Sequence, residues 1–226
     1  MAFLSLEDGR ALEIAIESMQ KGGVIAFPTD TVYGIGASLA HREALIRIYD
    51  IKGRPQDKPL PILISRPDVV STLTDEPDQD LLRLAARFWP GPLTVILKAN
   101  ASLPDEVKAP DGTFGVRVPD HSIALTIAQH NGGAMATTSA NRSGQPAACR
   151  AEEIRESLGD EIDVILDGGI APQRLASTVI RREGDTITVV REGALTNATI
   201  QEAWRAICET NPSTERAPMK KSPSGQ

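Results

Sequence analysis

Aromatic side chains are scarce in this sequence: Phe, Trp and Tyr together make up 4% of it. A core must therefore be assembled from Val, Ile, Leu and Ala, and the stacking platforms that hold single-stranded nucleic acids have little to be built from. Cysteine is almost missing as well. Cys149 and Cys208 are the only two in the chain, too few for a disulfide framework and without metal-ligand spacing. Two reduced thiols in a cytosolic protein are expected. No apolar run approaches the roughly 20 residues that cross a bilayer, and Met1-Ala2-Phe3-Leu4-Ser5-Leu6-Glu7-Asp8 shows no basic stretch leading into an apolar one. A cytoplasmic protein with no membrane partner is the expectation. Positive charge is in short supply: 24 Lys and Arg stand against 30 Asp and Glu, a net charge of -6. That argues against coating nucleic acid through bulk charge, yet leaves room for a local cationic pocket. A Walker-type phosphate loop, the dinucleotide fingerprint and the Gly-x-Ser-x-Gly elbow of serine hydrolases are all missing. His41, His121 and His130 have no metal spacing, so surface or helix-capping roles are expected for them, and no metal held by protein ligands.

What is present is an ordinary globular balance, 41% hydrophobic and 24% charged over 226 residues, enough for one domain with a sizeable core. Helical periodicity marks residues 8–20, 41–51, 79–89, 121–130, 151–158 and 197–208. Short apolar runs at 24–27, 62–64, 93–97, 114–118, 134–138 and 164–166 read as strands, and 177–180 with 186–190 as a hairpin around Glu183-Gly184-Asp185. Strands alternating with helices, with one late hairpin, indicate an α/β or α+β domain on a mixed sheet. The domain is expected over residues 1–209. Residues 210–226, rich in Pro and Ser and poor in apolar groups, are expected to be a disordered tail.

Polar segments gather where strands end, the place where open sheets hold ligands. In Pro28-Thr29-Asp30-Thr31-Val32-Tyr33-Gly34, hydroxyls and a carboxylate follow a strand, the composition of a ligand loop and equally of a capped turn. In Lys52-Gly53-Arg54-Pro55-Gln56-Asp57-Lys58, proline pushes Arg54 toward an extended conformation. That would set Lys52 and Arg54 on one side of a loop, facing a polyphosphate. A solvated basic loop has the same composition. Arg117, inside the apolar strand 114–118, needs either an internal carboxylate or a bound one. Thr137-Thr138-Ser139-Ala140-Asn141-Arg142-Ser143-Gly144 reads as an anion cradle or as a hydrogen-bonded surface loop. Ser177-Thr178-Val179 and Arg191-Glu192-Gly193 stand at strand boundaries.

Taken in order, these segments resemble the YrdC-like family, the L-threonylcarbamoyladenylate synthases. The opening stretch Gly22-Gly23-Val24-Ile25-Ala26-Phe27-Pro28-Thr29-Asp30-Thr31-Val32-Tyr33-Gly34 is similar to its signature, and Lys52-Gly53-Arg54 with Ser139-Ala140-Asn141 to its Lys-x-Arg and Ser-x-Asn pair. Phe88-Trp89-Pro90-Gly91-Pro92-Leu93-Thr94, Val116-Arg117-Val118-Pro119, Asp167-Gly168-Gly169, Ser177-Thr178-Val179 and Arg191-Glu192-Gly193 extend the match from about residue 8 to residue 205. The resemblance implies a twisted, open, largely concave sheet with helices on the other side. It implies synthesis of L-threonylcarbamoyl-AMP from L-threonine, bicarbonate and ATP, with release of pyrophosphate, as the first step toward N6-threonylcarbamoyladenosine in tRNA. By the same resemblance Thr31, Arg117, Thr137 and Ser177 hold L-threonine. Arg54, Thr113, Ser139, Ala147 and Arg191 contact ATP, with Lys52, Lys58 and Asn141 near the phosphates. Lys52, Arg54, Ser139 and Asn141 would carry the catalysis. Mg2+ would ride on ATP, held mainly by phosphates, and tRNA and a downstream threonylcarbamoyl-transfer enzyme are implied partners. Some members carry His where this chain has Leu63, so that contact does not carry over, and the second domain of longer members is not expected. An RNA-binding module without catalysis is the main alternative, disfavoured by acidity and few aromatics. A carbamoyl-phosphate enzyme is another, disfavoured by the lack of metal-binding cysteine motifs.

Overall fold

The apolar runs assemble into one ten-stranded open sheet in the computed structural model, which describes residues 1–210. From one edge to the other the strands are β1 (Ala2–Ser5), β8 (Val164–Asp167), β2 (Ile25–Phe27), β3 (Gly34–Ser38), β7 (Ala134–Ser139), β4 (Ile62–Ile64), β6 (Thr113–Arg117), β5 (Leu93–Lys98), β9 (Thr178–Glu183) and β10 (Thr186–Arg191). The sheet is mixed. β8 runs parallel to both its neighbours, β4 to β6 and β5 to β9, and the remaining pairs are antiparallel. The hairpin expected at the C-terminal end is β9–β10. Apart from Thr210, which ends the last helix, the expected tail of 210–226 lies outside the described residues.

Alternation along the strands divides the core in two. Ile25 and Phe27 of β2, Leu63 of β4 and Met135 of β7 pack with α1 (Ala11–Gln20) and α4 (Ser122–His130) on one face. Ala26, Ile62, Ile64 and Ala136 point the other way, toward α2 (Arg42–Lys52), α3 (Gln79–Ala85), α5 (Ala151–Ser157) and α6 (Asn197–Thr210). Helices thus pack on both faces, where the family resemblance implied one. α1 and α4 do not reach across their face, and the part they leave bare holds the site.

Two strands escape the sequence reading. β1 is only four residues long, too short to show a period. β3 carries Gly34 and Gly36, which read as punctuation of a turn. The cause of both glycines is proximity: a Cβ on Gly36 would stand 2.8 Å from Ala136 O and 3.0 Å from Thr137 Oγ1. The helix expected over 79–89 stops at Ala85. His41 and His121 precede α2 and α4 but donate no side-chain cap. His41 instead bonds Gln20 O through Nε2 at 2.8 Å.

Candidate active site

A cavity of about 150 Å³ opens on the face shared with α1 and α4. Leu63 belongs both to that apolar cluster and to the cavity wall, and stands beside Arg117 in the β4–β6 ladder. Thr31, Arg54, Arg117, Thr137, Ser139, Ser177 and Arg191, all expected at the site, line this one space. They arrive from the β2–β3 turn, the loop after α2, β6, β7, the residue before β9 and the end of β10. No carboxylate is among the lining residues.

Hydrogen-bond geometry fixes where protons lie. Thr29 Oγ1 donates to Val32 O at 2.6 Å, so its single proton is used. The 2.9 Å contact between the Thr29 and Thr31 hydroxyls must then have Thr31 as donor. Thr31 Oγ1 also accepts from Arg117 Nη1 at 3.0 Å. What Thr31 can still offer a ligand is a lone pair, which suits an amine. Arg117 Nε donates to Gly91 O at 2.8 Å and Nη2 to Asp30. The internal carboxylate expected as one reading of Arg117 is Asp30, and the residue also lines the cavity. Burial lowers its pKa and Asp30 opposes that shift. Thr137 Oγ1 is buried with no hydrogen-bond partner among the described residues, an unmet group at the cavity wall. Ser177 Oγ lies 2.9 Å from Thr94 Oγ1 and accepts from Arg191 Nη2 at 3.2 Å.

The cavity is cationic. Arg54 donates Nε to Lys58 O and Nη2 to Pro59 O, each at 2.9 Å. Arg191 donates Nη2 to Ser177 O at 2.8 Å. Among the described residues neither is ion-paired, and Arg191's pKa is lowered by desolvation and by the charge of Arg54. Two guanidiniums held together with no ion pair among the described residues suit an anion.

Five expected residues lie outside the wall. Lys52 ends α2, and Gly53, at φ +58, turns the chain there, so helical and not extended geometry aims its side chain. Lys52 is 3% exposed. Its Nζ donates to Ser139 O (2.5 Å), Asn141 O (2.6 Å) and Asn141 Oδ1 (3.2 Å). Burial and Arg54 push its ammonium down to about 7, while three carbonyl acceptors favour the charged form. Asn141 accepts from Lys52 and Ser139 and donates to Arg142 O and Gln145 O, so its amide is occupied within the turn. Lys58 is exposed, and only its carbonyl meets Arg54. Thr113 begins β6, at the end away from Arg117. Its hydroxyl donates to Asp111 Oδ1 at 2.6 Å and it lines a separate depression with Lys98 and Arg181. Ala147 precedes Ala148, whose carbonyl accepts from Tyr33 N at 2.9 Å, and is not in the cavity wall.

Sequence reasoning did not assign Thr94, Asp30 or Tyr33. Asp30 was detectable, since an acid between apolar Phe27 and Val32 calls for a buried cation. Tyr33 is fully buried, and its OH donates to Gly169 O (2.8 Å) and accepts from Gly168 N (3.0 Å). Burial pushes its hydroxyl up to about 12.

Residues 17–193 match the Sua5/yciO/yrdC family, described as telomere recombination. A Bacillus subtilis threonylcarbamoyl-AMP synthase is 37% identical over 184 residues, 81% of this chain and 53% of the relative, so the chain spans about half that protein's length. A Vibrio cholerae threonylcarbamoyl-AMP synthase is 31% identical over 184 residues, 80% of this chain and 97% of the relative. The crystal structure of Pyrococcus abyssi Sua5 complexed with L-threonine superposes with a TM-score of 0.83 at 34% identity, covering 89% of this chain and 60% of that one. With a family match over residues 17–193 and a relative covered almost end to end, the chain belongs to the Sua5/YciO/YrdC family.

Proposed function

We propose that the cavity takes L-threonine, bicarbonate and ATP and forms L-threonylcarbamoyl-AMP, releasing pyrophosphate. The observation that carries this reading is the pairing of an ion-pair-free Arg54–Arg191 cluster with a hydroxyl-lined Arg117 subsite in one space. A polyphosphate suits the first and an amino acid the second. Arg117 would hold the threonine carboxylate, the Thr31 lone pair its ammonium, and the unmet Thr137 hydroxyl or Ser177 its side-chain hydroxyl. Threonine's amine, once deprotonated, adds to the carbon of CO2 drawn from bicarbonate, giving a carbamate. A carbamate oxygen then bonds to the α-phosphorus of ATP as the bond to the pyrophosphate oxygen breaks. The wall offers no enzyme nucleophile in a reactive setting, so the chain's contribution is placement and charge neutralisation. Arg54 and Arg191 would hold phosphate oxygens, and Ser139, whose hydroxyl proton goes to Asn141 Oδ1, would stand beside them in the wall.

The residues fit Mg2+ only as a passenger. No carboxylate lines the cavity, and no group of three or more His, Cys, Asp or Glu among the described residues could hold a metal. Mg2+ would enter on ATP, held by phosphates and water. The relatives' names support threonylcarbamoyl-AMP as product. A mixed anhydride of this kind would then pass to an enzyme that transfers the threonylcarbamoyl group to adenosine in tRNA. No helix among the described residues is long and apolar enough to cross a membrane; a cytoplasmic setting is part of the proposal. Mass spectrometry of a reaction of purified protein with threonine, 13C-bicarbonate and ATP tests the reading. A labelled threonylcarbamoyl-AMP peak supports it; no nucleotide product with any amino acid overturns it.

A further inference from the structure

Lys52 is a buried cation in the site's Lys-x-Arg segment, yet every proton of its ammonium already has an acceptor inside the protein. Those acceptors are the carbonyls of Ser139 and Asn141 and the side-chain oxygen of Asn141. The return contacts run the same way. Ser143 N donates to Lys52 O at 2.8 Å, and Arg142 Nη1 to Ile51 O at 2.6 Å. The carbonyls that the end of α2 leaves without helical partners are thus taken up by the turn that follows β7. Ser139 Oγ donates to Asn141 Oδ1 at 2.6 Å, so the same amide oxygen joins Lys52 to a residue of the cavity wall. Beyond Gly53 the chain continues to Arg54, which lines the same cavity as Ser139.

We propose that Lys52 is a positioning residue and not a phosphate ligand: its ammonium binds the turn of residues 139–145 to the end of α2, and so sets the position of Ser139 relative to Arg54 in the cavity wall. This rests on the reading of that cavity as the nucleotide site. A phosphate could reach the ammonium only by displacing a carbonyl that would then be left buried and unpaired. The lysine sits two residues from Arg54 because one helix end must hold both the turn and the loop.

The test is hydrogen–deuterium exchange of the full chain without any ligand, comparing wild type with Lys52→Met, which keeps the stem and removes the donors. Asn141→Ala serves as a second variant in case Lys52→Met does not fold. Amides of residues 140–148 are expected to exchange roughly tenfold faster or more in either variant, while α1 and α4 keep wild-type protection. Steady-state kinetics supply the second readout: kcat is expected to fall at saturating ATP, because misplaced Ser139 and Arg54 bind ATP but do not align it. Wild-type exchange over 140–148 in folded Lys52→Met, or a rise in ATP KM with kcat unchanged, would overturn the proposal in favour of a direct phosphate contact. The exchange measurement contains no nucleotide. Failure of the assigned reaction in wild type would therefore show in the kinetics alone and leave the exchange result standing.

Discussion

At the scale of single residues, the guanidinium of Arg117 gives one N–H to Gly91 O, one to Thr31 and one to Asp30. One N–H remains on each terminal nitrogen for a ligand. A lysine ammonium cannot serve three fixed acceptors and a carboxylate together. Arg117→Lys is expected to raise the threonine KM roughly 100-fold, the loss of two charge-assisted contacts, with the ATP KM within about threefold. Pyrophosphate-release kinetics with each substrate varied would check this; equal rises in both constants would assign Arg117 to the fold alone. Tyr33 makes a pH-dependent contribution at the alkaline end. Its hydroxyl pKa, ordinarily 10.0, is raised to about 12 in the folded chain. Between those values the unfolded chain has lost the proton and the native one keeps it. Unfolding then releases a proton, and stability falls as pH rises from 10 toward 12. The loss should reach about 2–3 kcal/mol. Tyr33→Phe forgoes the bonds to Gly168 and Gly169 at every pH but lacks this alkaline loss. Urea denaturation at pH 9 and pH 11.5 should therefore show the stability gap between the two proteins narrowing at the higher pH; a constant gap counts against a buried neutral phenol.

At the scale of elements, β3 is a strand made narrow on purpose. Gly34 and Gly36 face β7 where Ser139 and Thr137 stand, and Thr137 Cγ2 would lie 3.0 Å from a Cβ on Gly34. Gly36→Ala is expected to cost about 1–3 kcal/mol by overpacking. It should also weaken threonine binding several-fold, because Thr137 must move. Thermal melts paired with threonine calorimetry would separate these effects, and full threonine affinity in a destabilised variant would remove Thr137 from the site. The same strand shows what sequence can and cannot reveal. Runs such as Ile62–Ile64 and Leu93–Lys98 declare themselves by β-branched and aliphatic content. β3 does not, because its glycines answer to a neighbour about 100 residues away in sequence. The segments that hold Thr31, Arg117, Thr137 and Ser177 were legible because polar groups beside apolar runs need partners, but of the four only Arg117 stood out singly by its chemistry, and the others were picked out by the family resemblance. The geometry of Lys52 was misread because the restriction that Pro55 puts on Arg54 was extended back to Lys52, although Gly53 after the periodicity of 41–51 is itself a helix-stop signal. Thr113 and Ala147 entered only through family resemblance, and nothing in their local chemistry could correct that.

At the scale of the whole molecule, an acidic protein of net charge -6 holds Arg54 and Arg191 together in one recess without an ion pair among the described residues, and an anion meets a local positive field there. The topology that builds this recess also has an order in time. β1 and β2, within the first 27 residues, both pair with β8, and β2 joins it through Ile25↔Val164 and Ala26↔Ile165. A ribosome delivers the N-terminal strands first and their shared partner about 140 residues later, on the order of 10–30 s at ordinary elongation rates. Throughout that interval Ala11, Ala15, Ile16 and Met19 lack the Val164 and Leu166 part of the apolar cluster they close on. Stalled nascent chains that end before Val164 should be cleaved readily within α1, and chains that have β8 clear of the ribosome should resist. Protection appearing well before β8 emerges would mean that α4 alone can shelter α1. The strand in the middle of the N-terminal sheet half thus acts as a clasp supplied late by the translation machinery, and the apolar face of α1 is, until then, a natural target for a chaperone.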